Sequence, residues 1–326
     1  MKILIFTKNW LGDVIFETPA IRVIKRNYPE SEIVCATVPR CEEIVKRNPC
    51  VNRVVLFDER YSHKSFGAKF GFVRWLRKEK FDKVFLFHRS FTRAFLTLLG
   101  GVRERVGYAT KGRGLILTKP IPNDREDKHR VYYFLDLLKK AGLRVDVDPY
   151  CEFLFSEEDD NRACRLLSDK GLDLSRLVAL NPGSNRANKR WPFYQFARLA
   201  DLLVERYGCS LVITGNSQDE ALATDMIHAT RRAKPVSLCG NTRLGDLGAV
   251  FSRCRLVISG DSGPLHIAAG VGANVLALFG PTDPRLFGPM GRGKNIVIKA
   301  ELHKDSSMGS IDPVRVMDII DREKLL

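Results

Sequence analysis

The chain contains no Cys-x-x-Cys pair, although eight cysteines stand at 35, 41, 50, 151, 164, 209, 239 and 254. Such scatter supports neither a zinc site nor a disulfide frame and reads as reduced, mostly buried thiols. No Gly-x-Gly-x-x-Gly follows the first strand-like run, so a dinucleotide fingerprint is missing there. Long apolar runs are missing too. The longest candidate, GPLHIAAGVGANVLALFG at 263–280, is broken by His266, several glycines and Asn274. It reads as helix, turn and buried strand, not as a membrane span of about 20 residues. The start, MKILIFTKNWLGD, has no signal-peptide apolar region and opens on a strand, which predicts a cytoplasmic protein. Repeats and low complexity are absent, and no cluster has metal-ligand spacing.

Acidic residues are scarce in the first half alone. The whole chain carries 53 Lys and Arg against 38 Asp and Glu, a net +15. Residues 1–150 hold 30 basic and 17 acidic residues, and residues 151–326 hold 23 and 21. Within 60–113 the ratio is 14 to 3. This bias is either a solvated basic face or a surface for a partner with phosphates. A basic nucleic-acid-binding protein lacks support, because helix-turn-helix, RNP and zinc-finger signatures are all missing.

With 326 residues and 44% hydrophobic content, two domains of about 150 residues are the economical reading. KILIFT (2–7), EIVCATV (32–38), RVVLFD (53–58) and DKVFLFH (82–88) are short apolar runs alternating with helical patterns at 14–27 and 66–79. The pattern restarts with LVALNPGS (177–184), SLVITG (210–215), VSLCG (236–240), RLVISG (255–260) and NVLALFG (274–280). Strands alternating with helices predict parallel sheets covered on both faces: an α/β chain of two doubly wound, Rossmann-like domains. Ligands of such folds sit beyond the carboxyl ends of the strands.

Three loops at those ends carry candidate chemistry. After the first strand, Asp13 suits either a helix N-cap or a general base. After 177–181, NPGSNRANKRWP offers the turn at Pro182–Ser184 and the cations Lys189 and Arg190 before a helix with Pro192 in its first turn. It is either a solvated basic loop or a clamp on a diphosphate. After 255–260, GDSG invites a nucleophile at Ser262. A nucleophile elbow needs Gly-x-Ser-x-Gly, however, and Pro264 occupies the last position. A phosphate-binding helix start fits better, with Ser262 donating its hydroxyl, Asp261 placed for sugar or base hydroxyls, and His266 one turn in, structural or facing the ligand.

Together the stretches NWLGDVIFETPAI, NPGSNRANKRWPFYQFARLADLL, GDSGPLHIAAGVG with NVLALFGPTDP, and IDPVRVMDII resemble the ADP-heptose–lipopolysaccharide heptosyltransferases of glycosyltransferase family 9. The likeness spans essentially the whole chain and leans toward heptosyltransferase II. It implies a GT-B fold, two Rossmann-like domains facing a central cleft. Residues 1–155 would bind the acceptor and 156–310 the nucleotide sugar, with a terminal helix at 311–326 packing back on the first domain. It implies inverting, metal-independent transfer of heptose from ADP-heptose, a substrate and not a cofactor, to the anionic inner-core heptose/Kdo of lipopolysaccharide. By the same resemblance Asp13 is the general base and Lys189 stabilises the departing diphosphate. Ser184, Arg190, Asp261, Ser262, Gly263 and His266 bind the donor, and Arg89, Ser90, Arg93 and Arg113 bind the acceptor. The implied setting is the inner face of the inner membrane, touched transiently by Arg74, Arg77, Lys78 and Lys80, with Phe66, Phe70, Phe72 and Trp75 nearby. Another family 9 enzyme with a different nucleotide sugar is the alternative.

Overall fold

Apolar runs bounded by polar residues become strands whose two faces are both covered, as a parallel ladder requires. The computed structural model describes residues 1–123, 127–301 and 308–326. They form two units, Met1–Pro149 and Tyr150–Leu326.

The first unit contains β1 (Lys2–Phe6), β2 (Glu32–Thr37), β3 (Arg53–Leu56), β4 (Lys83–Leu86), β5 (Glu104–Tyr108) and β6 (Lys119–Ile121), in the order β3-β2-β1-β4-β5-β6. All pairs are parallel, and Phe6 lies opposite both Ala36 and Leu86. The second contains β7 (Leu177–Asn181), β8 (Ser210–Ile213), β9 (Val236–Ser237), β10 (Leu256–Gly260), β11 (Val275–Phe279) and β12 (Asn295–Lys299), in the order β12-β11-β10-β7-β8-β9. These pairs are parallel too, with Ser259 opposite Asn181. Both orders are the doubly wound one, so the chain reverses direction across each sheet between its first and fourth strands. Those points, β1/β4 and β7/β10, are where such sheets open a crevice for ligands.

Several expectations change in detail. The helix expected at 14–27 is two helices, Leu11–Phe16 and Thr18–Asn27. Pro19 has no N–H for the carbonyl of Ile15, and the Thr18 hydroxyl takes that acceptor instead at 2.8 Å. Pro192 is the N-cap of helix Phe193–Tyr207, one step before the first turn. The unit boundary falls at 149/150 and not at 155/156, because the backbones of Cys151 and Phe153 bond to Met290 and Gly270 of the second unit. The terminal helix Pro313–Arg322 was expected on the first domain. Its Val316, Met317 and Ile320 belong instead to the second unit's core, where it packs on helix Phe193–Tyr207. The Trp191 indole fastens the chain just before this helix, donating to the carbonyl of Ile311 at 3.0 Å. The eight cysteines are all free, six of them buried. Among the described residues no helix is long and apolar enough to cross a membrane.

Candidate functional site

In the first unit the loops after β1 and β4 meet at the switch point, held together by one buried guanidinium. Arg93, in helix Phe91–Leu99, is only 1% exposed. It donates to the Thr7 carbonyl at 2.7 Å, to Asn9 Oδ1 at 2.8 Å and to Glu59 Oε2 at 3.3 Å. Glu59 also accepts from the Ser90 hydroxyl at 2.9 Å, and Ser90 caps the same helix by accepting from the Arg93 N–H. His88 accepts the Ser90 N–H on Nδ1, and its Nε2 lies 3.3 Å from the side-chain nitrogen of Asn9. Burial and the charges of Arg93, Lys8 and Arg113 lower its pKa to about 2, which favours the neutral ring. Arg113 is fully buried and braces the same corner through the carbonyls of Tyr108 and His88.

Beside this brace opens a cavity of about 490 Å³, lined by Lys8, Arg89 and Lys111 with Glu59, Ser90 and Phe91. Its one carboxylate is already engaged by Arg93 and Ser90. Three cations, Lys8, Arg89 and Lys111, line the space, a setting for an anionic ligand.

Asp13 stands in the first turn of helix Leu11–Phe16, half-buried, and is not its cap. The cap position is Trp10, with no side-chain cap bond, so the N-cap reading of Asp13 falls away. Among the described residues Asp13 makes no hydrogen bond or ion pair. Its carboxylate acts on Lys8, whose pKa burial lowers against the pull of Asp13 and Glu17. Glu17 was not expected at the site. It is fully buried, with Oε1 accepting from the Lys8 N–H at 2.9 Å and Oε2 without a partner among the described residues. Burial above all, and the neighbouring Asp13 charge, hold its carboxyl well above the usual range.

In the second unit the loops after β7 and β10 converge on Asn181, 1% exposed at the end of β7. Its amide nitrogen lies 3.1 Å from Ser259 Oγ, 3.2 Å from Ser262 Oγ and 3.3 Å from the Gly183 carbonyl. Ser262 is the N-cap of helix Gly263–Gly270, yet its hydroxyl makes no cap bond. It contacts Asn181 and Ser259 instead, which leaves the helix's first N–H groups clear of it. Among the described residues no base of a nucleophile pair is hydrogen-bonded to it, which gives the hydrolase reading no support. Lys189 pairs with Asp261 at 2.5 Å, and the Ser184 hydroxyl bonds to the Asp261 carbonyl. Arg190 Nε holds the Ser184 carbonyl at 2.9 Å. Gly183 is required by close approach, since a Cβ there would lie 2.6 Å from the Asp219 carboxylate.

The second unit thus gathers Ser184, Lys189, Arg190, Asp261, Ser262 and Gly263 at one crevice, while His266 lies buried (4% exposed) within the helix. In the first unit Arg89 and Ser90 line the cavity. Arg93 and Arg113, expected to meet an acceptor, are buried and turned inward, Arg93 onto Thr7, Asn9 and Glu59 and Arg113 onto the carbonyls of Tyr108 and His88. Asn181, Glu59, His88 and Glu17 were missed. Only Asn181 had a signal, its place at a strand end before Pro-Gly-Ser. Among the described residues no group of His, Cys, Asp and Glu is gathered as for a metal ion.

A doubly wound α/β unit, present twice, defines a fold of GT-B type. The sequence model of glycosyltransferase family 9 (heptosyltransferase) matches residues 70–313, and the chain belongs to that family. Lipooligosaccharide heptosyltransferase 2 of Haemophilus influenzae is 25% identical, aligned over 93% of this chain and 91% of its own. A glycosyl transferase family 9 structure from Veillonella parvula superposes with a TM-score of 0.90 at 24% identity, covering 99% and 96% of the two chains. The ADP-heptose lps heptosyltransferase II structure from E. coli gives 0.82 at 23% identity, covering 99% and 98%.

Proposed function

We propose that this protein transfers heptose from ADP-heptose to an inner-core heptose of lipopolysaccharide, with inversion at the anomeric carbon, as a heptosyltransferase II-like enzyme. The observation that carries this reading is the relationship to a lipooligosaccharide heptosyltransferase 2 along more than nine-tenths of both chains. In the proposed step Asp13 removes the proton from an acceptor hydroxyl as its oxygen attacks the anomeric carbon. The bond from that carbon to the diphosphate breaks, and ADP leaves with the electron pair. Lys189 and the N–H groups opening helix Gly263–Gly270 stabilise the charge that develops on the diphosphate. Asp261 holds Lys189 in place beforehand. The free carboxylate of Asp13 supports its role, and the cations Lys8, Arg89 and Lys111 suit an acceptor bearing phosphates and sugar carboxylates. Because that acceptor is lipid-anchored, the enzyme works at the inner face of the inner membrane.

The test is release of ADP from ADP-heptose in the presence of inner-core acceptor, run beside UDP-, GDP- and CDP-sugars. Asp13→Asn is expected to lower turnover by about 10²–10⁴-fold while the affinity for ADP stays near wild type. Turnover with a different nucleotide sugar and none with ADP-heptose would move the enzyme to another donor within family 9. Loss of ADP binding in Asp13→Asn would make Asp13 structural.

A further inference from the structure

Two of the chain's three tryptophans are packed into its cores. Trp191 is buried in the second unit, and Trp75, expected near a membrane surface with Phe72, packs beside Phe72 on the first unit's core. Trp10 is different. It is 49% exposed in the loop after β1, three residues before Asp13, and as N-cap of helix Leu11–Phe16 it makes no side-chain cap bond. A single exposed apolar side chain would mean little by itself, but the groups around this one give it chemistry.

The adjacent strands β1, β2 and β3 each deliver a large side chain to one spot at their carboxyl ends. Arg40, after β2, places its guanidinium 4.8 Å from the Trp10 ring centroid. Arg60 follows β3. Both arginines are exposed, and among the described residues neither guanidinium makes a hydrogen bond or ion pair. With Asn9, Val38 and Asp58 the three rim a recess of about 20 Å³, room for about one water while Arg40 covers the ring. The carboxylate of the rim, Asp58, is buried and accepts the Arg60 backbone N–H at 2.9 Å.

This recess and the cationic cavity share a wall. Lys8 and Glu59 line the cavity, whereas Asn9 and Trp10, Asp58 and Arg60 on the same two loops line the recess. Buried Arg93 braces that wall, bonding to Asn9 and to Glu59. A ligand larger than one sugar can sit in the cavity and lean across the wall onto the indole.

The chemistry of the recess selects what binds. The face of an indole is electron-rich and meets the weakly positive C–H face of a sugar ring. Guanidiniums without carboxylate partners present forked N–H donors to phosphate or carboxylate oxygens.

We infer that Trp10, Arg40 and Arg60 form a second acceptor subsite, where the indole stacks on a sugar ring and the two guanidiniums hold an anionic group on that sugar or its neighbour. A cation–π contact at an exposed ring is weak, so the sugar takes the indole face as Arg40 moves to the anion. Use of the subsite in transfer rests on the proposed heptosyl transfer; the binding of an anionic sugar does not.

The test is fluorescence titration of the full chain with a delipidated, phosphorylated inner-core oligosaccharide, without donor. Tryptophan emission is expected to change in the wild type and not in Trp10→Phe, which keeps Trp75 and Trp191. In steady-state transfer, Trp10→Ala is expected to raise the acceptor KM about tenfold, with kcat and the affinity for ADP moved less than about twofold, and Trp10→Phe to recover most of the loss. Arg40→Gln/Arg60→Gln is expected to raise KM about tenfold for the phosphorylated oligosaccharide and little for its dephosphorylated form. An equal rise on both supports the subsite with a sugar carboxylate as the anion. An unchanged acceptor KM in Trp10→Ala overturns the subsite and leaves the transfer reading intact. So does a fall in kcat at unchanged KM without any fluorescence response, since Trp10 would then only shape the helix that carries Asp13. A fluorescence response to the oligosaccharide without any heptosyl transfer leaves the subsite standing and sinks the functional reading.

Discussion

Glu17 is a carboxyl buried beside another carboxylate, Asp13, with one oxygen satisfied and one not. Its pKa is raised in the folded protein, so the native state binds a proton that the unfolded chain has already released. Stability from this group therefore falls as pH rises from about 4.5 through the raised value, the opposite of a salt-bridged carboxylate. Glu17→Gln keeps a carbonyl for the Lys8 N–H and removes the charge. It is expected to raise Tm at pH 8 by about 2–4 °C and leave it unchanged at pH 4, where the residue is protonated in both states. Equal shifts at both pH values in a thermal melt would show that packing, not charge, is responsible.

At the scale of elements, the strand-to-loop corners of the first unit are held by side chains acting as backbone substitutes. Loops cannot satisfy their own carbonyls inside a crevice, so Arg93 supplies donors to Thr7, Asn9 and Glu59 at once. Arg93→Met leaves the Glu59 carboxylate with the Ser90 hydroxyl but no cation, and takes the Arg93 donors from the Thr7 carbonyl and Asn9 Oδ1. The expected cost is about 3–5 kcal/mol, read from the urea midpoint, with Arg93→Lys recovering part of it. A change below about 1 kcal/mol would mean the loops find other donors. Elements also decide what sequence pattern can disclose. Strands β1, β4, β7, β10 and β11 are covered on both faces, and their apolar runs mark them plainly. Strands β5, β6 and β12 lie toward or at the sheet edges, partly exposed, with Glu104, Lys119, Pro120 and Lys299 in them, and no alternation betrays them. The site divides likewise. Asp13, Lys189 and Asp261 follow strands and are legible from position alone. Glu17, Glu59 and the inward turn of Arg93 depend on tertiary burial, which local spacing does not encode.

At the scale of the whole molecule, each unit has its own core. Leu4, Phe6, Val84 and Leu86 anchor one, and Val178, Leu180, Ile258 and Ile320 anchor the other. Calorimetry is expected to resolve two unfolding transitions. ADP at about 100 times its Kd should stabilise one of them by about 2.7 kcal/mol and leave the other in place. A single transition moved as one by ADP would show that the units melt together and would sink the prediction.

The repeated strand order has an evolutionary consequence. Both sheets wind in the same sense around the same kind of reversal, so each unit has its own set of strand-end loops on its own scaffold. A lineage can then rewrite the loops after β7 and β10 without disturbing the loops that follow β1 and β4. Diversification becomes modular: the loops of one unit can change while the scaffold of the other stays as it is.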